Sequence, residues 1–577
     1  MPRNVWKRLR PMVVPAFVCL LSGPLLQAQT TTERVQHLGA RFWQWRATEQ
    51  PFSEDDIPRL ERPAGFVAHW SAQDEAGYAH EIAQLEQQWR AIDVSAAPVA
   101  TQVDWRLIGS AIARVRWELE GIPDWRRNPR FYLDQALGSV YVLLLPPAPF
   151  SPERQQEVIA RLASVPRLLQ EGRTNLTDMR QPYAAIAMEY LSGVEGRMQR
   201  FRDGIHSAAG FSPASLIAFD RAHADALKAL VEFRAWLQPQ VAGLSQNTAV
   251  GREGYLYFLR NVALLPYTPE QLQATGEAEF QRAVAFEALQ GAANTGVAPM
   301  PVYPTVEVQI AEEEKQEKFI RGYLASHGIL SEPEGVQHYH YAAIPPYVAA
   351  LGLGVTDDLT GPSRLSEQAY SYKGKPSADS GFFSAITARD TRPLSIHEGV
   401  PGHYYQLAWS WHNPDPVRRY YYDSESNEGL GFYAEEMMLV GGLFEDAPTT
   451  RAAIYRMARL RALRVVVDVK LALGEFSLEE AAAYLEKTVP MDRGTARSEA
   501  AMFASTPGQA ITYQIGKSDM LHLMTDAKLQ QGARFNLKQF QDYVWLNGNL
   551  PFSLLRWELL GDKSAVPPVP ASFAWKP

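Results

Sequence analysis

The sequence predicts a mainly α-helical fold, and three observations lead to that prediction. Apolar residues recur at steps of three and four from about residue 31 onward, which is the spacing of one helix face. Helix-start signals, each a capping residue followed by proline, occur at Ser151-Pro152, Ser212-Pro213 and Thr268-Pro269. Strand-like runs are few. We therefore expect helices to form most of the core.

The segment 74–93 illustrates the helical pattern, and later segments repeat it. Its apolar stripe consists of Tyr78, Ile82, Leu85, Trp89 and Ile92. Further helices are predicted at 152–165, 184–201, 213–237, 269–286, 306–326 and 450–473. The apolar run 141–145 is too short to be distinguished from buried helix. Residues 380–387, Ser-Gly-Phe-Phe-Ser-Ala-Ile-Thr, are the best strand candidate in the chain.

The first 28 residues have the pattern of a secretory signal peptide. A basic start is followed by an apolar run that ends at Ala28. The run is short for a membrane span and contains two prolines, so a retained anchor is the weaker interpretation. Cys19 follows Val18, where a lipoprotein signal has a small residue, which argues against lipidation. We expect a periplasmic or secreted protein without stable membrane insertion.

Composition restricts the possible partners and ligands of the mature chain. Removing the four basic residues of the signal changes the formal charge from −8 to −12, which disfavours nucleic acid and anionic membrane as partners. Cys19 is the only cysteine, so the mature chain has neither a disulfide nor a thiolate metal ligand. We expect one domain, 29–577, with an N-terminal lobe at about 29–290 and a second at about 305–577. The sequence indicates no oligomeric state.

A motif beginning at His397 has the residue types of a hydrolytic zinc site. His397 and His403 supply two imidazoles, and Glu398 supplies a carboxylate that can take a proton from water. Six positions apart on a straight helix, the histidines would lie roughly 120° and about 9 Å apart, too far to share one ion. The Gly-Val-Pro-Gly segment 399–402 permits a bulge or kink that brings them together. The alternative is two ordinary helix histidines beside a turn.

A second predicted helix, 427–438, supplies further carboxylates. Glu428 stands near its start and is a suitable third zinc ligand, which leaves the fourth position for water. Glu435 lies two turns later on the same face, where it can orient an imidazole. These glutamates could instead be solvated, but Gly429 and Gly431, with aromatic neighbours, favour a packed helix. One zinc ion is the cofactor that this pattern predicts.

Three motifs in this order resemble the bacterial domain-of-unknown-function 885 (DUF885) family. They are His-Glu-Gly-x-Pro-Gly-His-x-x-Gln at 397–406, Glu-Gly-x-x-x-Tyr-Ala-Glu at 428–435 and Pro-Gly-Gln-Ala-Ile-Thr-Tyr-Gln-Ile-Gly at 507–516. That family is similar to the gluzincin zinc metallopeptidases, including the carboxypeptidase and angiotensin-converting-enzyme groups. The resemblance implies a two-lobed helical metallopeptidase-like fold, with a deep central cleft and a small β element next to the metal-binding helix.

The resemblance also implies roles for individual residues. It gives His397, His403 and Glu428 as metal ligands, Glu398 as general base and Tyr513 as the phenol that stabilises the oxyanion. The strand predicted at 380–387 would pair with extended substrate backbone, as an edge strand does in the gluzincins. Residues expected to orient the ligands are Glu435 and Gln406, and those expected to contact substrate are Phe383, Ser384, Gln509 and Lys517.

The implied function is that of an exported zinc-dependent peptidase acting on short peptides, as an exopeptidase or oligopeptidase. Two departures from the family pattern bear on it. Ala472 stands where many relatives have a histidine, and Met502-Phe503 where relatives have an Arg-Tyr pair. One alternative is a zinc hydrolase of a non-peptide or modified amide. Another is a relative that binds peptides without cleaving them, which the Ala472 departure keeps open.

Three further features allow more than one interpretation. The charged run 312–318 is predicted to be a solvated helix face. Residues 331–347 are predicted to be irregular, and no spacing ties their histidines, His338 and His340, to the metal motif. The aromatic residues Trp409, Trp411, Tyr420, Tyr421 and Tyr422 could line a pocket, or they could belong to the core or to an interface.

Overall fold

The computed structural model describes residues 29–52, 60–353, 356–379 and 381–575. The predicted signal peptide, residues 1–28, lies outside the described residues, as does Ser380. Within them the fold is mainly α-helical with one small sheet, as the sequence predicts. None of the described helices is both long and apolar enough to span a bilayer.

The helices run along almost the whole described chain. Up to residue 293 the α-helices are Thr31–Glu49, Ala72–Arg90, Val99–Arg116, Asp124–Arg127, Pro129–Leu133, Ser139–Tyr141, Pro152–Asn175, Gln181–Leu191, Val194–Ala208, Pro213–Leu237, Gly251–Tyr257 and Pro269–Ala293. After it they are Val306–Ser326, Pro346–Leu351, Phe382–Thr387, Arg392–Leu394, His403–Ser410, Pro416–Tyr420, Ser424–Val440, Pro448–Leu473, Leu478–Thr488, Arg493–Ser505, Thr512–Gln531, Leu537–Asn547 and Phe552–Leu560. Single π-helical turns occur at Trp117–Gly121, Asp134–Gly138, Phe258–Val262 and Ser395–Gly399, and 3₁₀ turns at Val241–Gly243 and Gly532–Arg534.

Local capping chemistry fixes several helix starts as predicted. The side chains of Ser151, Ser212 and Thr268 each accept a hydrogen bond from a backbone N–H in the first turn, and proline follows each of them. Gln271 completes a capping box with Thr268. The run 141–145 is the end of a helix and a turn, not a strand.

The small sheet lies beside the metal motif but is not made of the predicted residues. Strands β1 (Tyr339–Ala343), β2 (Asp357–Asp358) and β3 (Ala369–Lys373) are ordered β1-β3-β2, with β1 parallel and β2 antiparallel to β3. The Tyr339 ring stacks on that of Tyr404, in the helix after the second histidine, at 4.7 Å. The β element is therefore present, and β1 occupies part of the 331–347 segment that was predicted to be irregular.

The free edge of β1 is closed by carboxylates from the helix Val306–Ser326. The backbone N–H of Tyr339 donates to Glu317 at 3.2 Å, and that of Tyr341 donates to Glu314 at 2.9 Å. The prediction that the run 312–318 is a solvated face is therefore wrong in part, because Glu317 is buried against the sheet. This edge is not available to an incoming peptide strand.

The strand predicted at 380–387 is wrong. Its described part is the helix Phe382–Thr387, in which the Thr387 hydroxyl donates to the carbonyl oxygens of Phe383 and Ser384. Gly381 precedes the helix at φ 92°, a backbone conformation that glycine adopts without strain. The aromatic and β-branched content favoured a strand, but the strands in the described part of the chain pair only with one another. Positions 382 and 386 instead share a helix face.

Three long helices carry the remaining parts of the site. We name them the glutamate helix (Ser424–Val440), the arginine helix (Pro448–Leu473) and the tyrosine helix (Thr512–Gln531). The glutamate and tyrosine helices cross closely, because a Cβ atom on Gly429 would lie 2.5 Å from the Cα atom of Gly516. This contact brings the motifs 428–435 and 507–516 together.

Candidate metal centre

A single π-helical turn, Ser395–Gly399, carries the first histidine. The backbone N–H of Val400 donates to the Ser395 carbonyl oxygen at 3.1 Å, and that of Gly402 donates to Ile396 at 3.0 Å. A new helix begins directly afterwards at His403. The predicted bulge is therefore confirmed, and it takes the form of a π turn followed by a short extended connection.

The bulge brings the two imidazoles into contact. The rings of His397 and His403 lie 4.6 Å apart between centroids at an interplanar angle of 74°, and both residues are buried. The glutamate helix passes directly behind the first ring, where a Cβ atom on Gly431 would lie 2.9 Å from Cε1 of His397. A residue without a side chain at position 431 lets the ring stand against this helix.

Glu428 completes a set of three donor atoms. Its Oε2 lies 3.3 Å from Nε2 of His397 and 3.3 Å from Nε2 of His403. Two zinc ligands at about 2.0–2.1 Å in tetrahedral geometry stand about 3.3–3.4 Å from each other. Two imidazole nitrogens and one carboxylate oxygen are also a donor set that zinc prefers. The residues present therefore fit a zinc ion in both chemistry and spacing.

Glu398 is also near the histidines, but its position differs from that of Glu428. The ligand atoms of His397, Glu398 and His403 lie within 4.8 Å of one another, and Oε2 of Glu398 is 4.0 Å from Nε2 of His403. The Glu398 side chain is 38% exposed, whereas that of Glu428 is 11% exposed. The nearer, buried carboxylate suits a ligand, and the more distant, accessible one suits a base that exchanges protons with water.

The electrostatics of these side chains favour a bound cation. Burial and the Arg461 cation act to lower the pKa of His397, but hydrogen bonds to Glu428 and Glu435 outweigh them and raise it to about 9. Burial acts to raise the pKa of Glu428, yet the adjacent His403 and His397 hold that pKa well below its usual range. A proton on His397 thus balances the buried carboxylates, and a metal ion would replace it.

Glu435 holds the first imidazole from behind, as the sequence predicted for it. Its Oε1 lies 2.8 Å from Nδ1 of His397 and 2.7 Å from the Arg461 guanidinium, and the residue is fully buried. A carboxylate on Nδ1 directs Nε2 toward the metal and raises the basicity of the ring. Arg461 on the arginine helix neutralises that carboxylate.

We expect Glu435→Gln to weaken zinc binding by about 10- to 100-fold, because the amide cannot hold the Nδ1 proton with a full negative charge. The measurement is competition for zinc against a chelating dye. Glu436→Gln is the matched control, since Glu436 pairs with Lys517 at 2.7 Å and not with an imidazole. It should leave zinc affinity unchanged even if it lowers the melting temperature. Equal zinc affinities for the two variants would show that Glu435 does not support the metal-binding imidazole.

Tyr513 lies beside the imidazole of His397. Its ring is nearly parallel to that of His397, at 16° and 6.3 Å between centroids. Arg464 stacks on the Tyr513 ring at 4.4 Å and forms two hydrogen bonds of 2.7 Å with Glu499. The phenol therefore stands next to the metal motif, held by a cation that is itself fixed by a buried carboxylate.

The comparison with known sequences covers most of the chain. The profile of the family described as "Bacterial protein of unknown function (DUF885)" matches residues 61–299 and 339–559. The chain belongs to the DUF885 family. Comparison with curated proteins gives no match.

Solved structures share the fold of this DUF885 protein at low sequence identity. One is described as a "putative lipoprotein of unknown function" from Shewanella oneidensis, with TM-score 0.68, 17% identity, and 92% of this chain and 100% of that chain covered. Another is described as a "putative lipoprotein" from Colwellia psychrerythraea, with TM-score 0.71, 16% identity, and coverage of 92% and 99%. At these identities the likeness concerns the fold alone.

Among the described residues, Gln406 of this DUF885 protein forms no hydrogen bond with an imidazole. Its Oε1 accepts a hydrogen bond from Asn427 at 2.9 Å, while Nδ1 of His403 is buried without a hydrogen-bond partner among the described residues. The prediction that Gln406 orients a metal-bound ring is therefore replaced by a different role. Gln406 ties the His403–Ser410 helix to the residue before Glu428.

The predicted substrate contacts are divided between several places. Lys517 is buried and its ammonium pairs with Glu436 at 2.7 Å and Glu279 at 3.3 Å, so its charge is already used within the fold. Phe383 lies 5.8 Å from the Arg464 guanidinium and so remains near the Tyr513 side of the centre. Ser384 lies one position further along the same short helix.

The 507–516 motif is anchored by a buried aspartate of the arginine helix. Asp468 accepts hydrogen bonds from the backbone N–H groups of Gly508 and Ala510 and from the Tyr255 hydroxyl at 2.8 Å. Ala472, one turn later on that helix, is buried in the core. Met502, the other departure, lies in the wall of a cavity that also includes Gln509.

The histidines of the 331–347 segment are not brought to the metal motif. His338 contacts Glu317 at 2.7 Å and His340 contacts Glu314 at 3.1 Å, both on the helix Val306–Ser326. Sequence reasoning missed Arg461, because an arginine on an amphipathic helix has the pattern of a solvated residue. The sequence does show several arginines close together on that helix. Only the tertiary structure shows that Arg461 is the one buried against Glu435.

Proposed function

We propose that this DUF885 protein is an exported zinc-dependent peptidase that hydrolyses peptide bonds of short peptides. The observation that carries the proposal is the equal 3.3 Å spacing of Glu428 from the two histidine nitrogens, which matches tetrahedral zinc coordination. The resemblance of the three motifs to the gluzincin metallopeptidases supports it. The signal-peptide pattern of residues 1–28 supports export, as do the structural relatives described as "putative" lipoproteins.

In this mechanism His397, His403 and Glu428 hold the ion. Zinc, when bound, supplies Lewis acidity that lowers the pKa of a water molecule and polarises a carbonyl group. Glu398 accepts the proton of the attacking water and returns it to the leaving amine. Tyr513 donates a hydrogen bond to the oxygen on which negative charge develops. Each role uses a side chain that lies at or beside the histidine pair.

The substrate class is supported by a cavity near the first turns of two of the helices that carry the site. A cavity of about 460 Å³ adjoins the N-terminal ends of the glutamate and tyrosine helices, with Ser424 and Gln509 in its wall. A volume of this size suits one or two residues of a peptide, not a folded protein. We therefore propose that the protein acts as an exopeptidase or oligopeptidase, in a two-lobed helical fold with a deep cleft.

Digestion of a mixed peptide library, with and without a chelator, tests the proposal. We expect cleavage of short peptides that stops when zinc is chelated and returns when zinc is added, with products identified by mass spectrometry. Cleavage restricted to non-peptide or modified amides would replace the peptidase with a different zinc hydrolase. Capture of peptides without products would assign the protein to peptide binding. Cleavage that persists without metal would overturn the zinc mechanism.

A further inference from the structure

The cavity whose wall includes Ser424 and Gln509 has an aromatic wall. Its rings come from both the N-terminal helices and the segment before the glutamate helix, including Trp43, Trp117, Trp125, Tyr420, Tyr421 and Tyr422. Aromatic walls favour an apolar or aromatic ligand group through burial and ring stacking. The tyrosines at 420–422 therefore line a pocket, one of the possibilities that the sequence left open.

Most charged groups of the wall are neutralised within the fold. Arg46 pairs with Glu118 as well as with Glu49, and Arg130 pairs with Asp134 at 2.6 Å. Asp124 pairs with Arg127 at 2.8 Å. These ion pairs account for the acidic side chains that the described wall contains.

Arg114 is the exception among the described wall residues. It is half-buried on the helix Val99–Arg116, and no carboxylate or other side chain of the described chain forms an ion pair or hydrogen bond with its guanidinium. Two neutral donors of the same wall, Nε1 of Trp43 and Nε2 of Gln509, are buried without a partner among the described residues. The described wall therefore contains one guanidinium and two N–H groups without a hydrogen-bond or ion-pair partner among the described residues.

We propose that this cavity binds a carboxylate attached to an aromatic or large apolar group, with Arg114 forming the ion pair. Such a ligand has the chemistry of the C-terminal residue of an apolar peptide. A guanidinium binds a carboxylate through two parallel hydrogen bonds, and aromatic surroundings that exclude water strengthen them. The side chain of an aspartate or glutamate in a peptide also carries a carboxylate, so it is a second possible source of this group.

The place of the cavity gives this binding a role in catalysis, a step that rests on the proposed function. Ser424 in the wall precedes Glu428 by four residues of one helix, about 6 Å along the axis. Gln509 in the wall precedes Tyr513 in the same motif. None of the predicted metal ligands lines the cavity, so a peptide bound by its C-terminal carboxylate at Arg114 has to reach past the wall near Ser424 or Gln509 to be cut. Cleavage would then release residues from the C-terminal end.

Calorimetric titration of the mature chain with small probes tests the inference. We expect N-acetyl-L-phenylalanine to bind, and N-acetyl-L-phenylalaninamide to bind at least about tenfold more weakly because the charge-assisted bonds are lost. Equal affinities for acid and amide, or no binding of the acid, would overturn the inference on the unaltered protein. N-acetyl-L-glutamic acid α-amide separates the two sources. If it bound as tightly as the phenylalanine acid, the C-terminal assignment would be wrong.

Arg114→Gln provides the matched variant. This substitution should lower the affinity for N-acetyl-L-phenylalanine at least about tenfold and leave the weak binding of the amide unchanged. Arg221→Gln is the control, because Arg221 is an exposed arginine without a described partner and lies outside the cavity. An Arg114→Gln protein that binds the acid like the unaltered chain would contradict the assignment.

The same titrations separate this inference from the proposed function. They are repeated after zinc is removed with EDTA, and we expect the preference for the acid over the amide to persist, since Arg114 does not belong to the metal centre. If the protein binds no zinc and cuts no peptide but still prefers the acid, only the peptidase proposal fails. If peptides are cut but acid and amide bind equally, only the cavity assignment fails.

Discussion

The Glu398→Gln protein is expected to bind zinc at the same stoichiometry as the unaltered chain and to hydrolyse peptides about 10²- to 10⁴-fold more slowly. Glutamine keeps the shape of the side chain but cannot accept the proton of the attacking water. The metal set should survive, because Glu398 stands 4.0 Å from the nearer imidazole whereas Glu428 stands 3.3 Å from both. Elemental analysis gives the zinc content, and initial rates on a library-derived peptide give the turnover.

Two companion variants make the result specific. His397→Ala removes one of the three donors and should lose zinc together with activity. Glu334→Gln removes an exposed carboxylate outside the centre and should change neither. If Glu398→Gln hydrolyses peptides at the unaltered rate, Glu398 is not the base. If it loses zinc as His397→Ala does, Glu398 is a ligand and Glu428 has another role.

The sequence could predict those parts of the site that depend only on residue types and on their spacing along the chain. Three donors, His397, His403 and Glu428, follow from residue types and from glycine and proline between the histidines, which permit the π turn that forms there. Glu435 follows from helix periodicity, since seven residues return to the same face. The helix starts at Ser151 and Ser212 are equally local, because a cap and the proline after it form a helix start within one turn.

The parts that the sequence could not predict depend on which elements meet. Arg461 and Arg464 have the spacing of a solvated helix face. The arginine helix instead packs against the helices Pro269–Ala293, Arg493–Ser505 and Thr512–Gln531, and both cations pair with buried carboxylates, Glu435 and Glu499. Lys517 was predicted to contact substrate because it lies near the motif, but its ammonium group is paired with Glu436 within the fold. In each case burial decides the role, and burial is a property of the tertiary structure.

The strand error has a related cause. Aromatic and β-branched residues at 382–387 have strand propensity, but a strand is stable only if a neighbour accepts its hydrogen bonds. The sheet that forms uses Tyr339–Ala343 and Ala369–Lys373, two segments separated by a connection that no local pattern indicates. The segment 382–387 therefore satisfies its backbone groups within a helical turn.

We expect Gly402→Ala to lower zinc affinity at least about tenfold and to destabilise the metal-free protein by about 3 kcal/mol or more. A Cβ atom at this position would lie 1.8 Å from the carbonyl oxygen of His397 and 2.4 Å from that of Ile396. Both contacts are with backbone, so relief requires the π turn itself to move. Because His397 belongs to that turn, its imidazole would leave the position shared with His403.

The matched control is Gly322→Ala, in the penultimate turn of the helix Val306–Ser326, where a Cβ atom meets nothing within 4 Å. Alanine there should stabilise the helix by up to about 1 kcal/mol. Chemical denaturation in the presence of EDTA measures the stability of each metal-free protein, and dye competition measures zinc affinity. Gly402→Ala with unaltered stability and unaltered zinc affinity would show that the two histidines do not depend on the close backbone approach of this turn. The bulge would then not be what brings them to one ion.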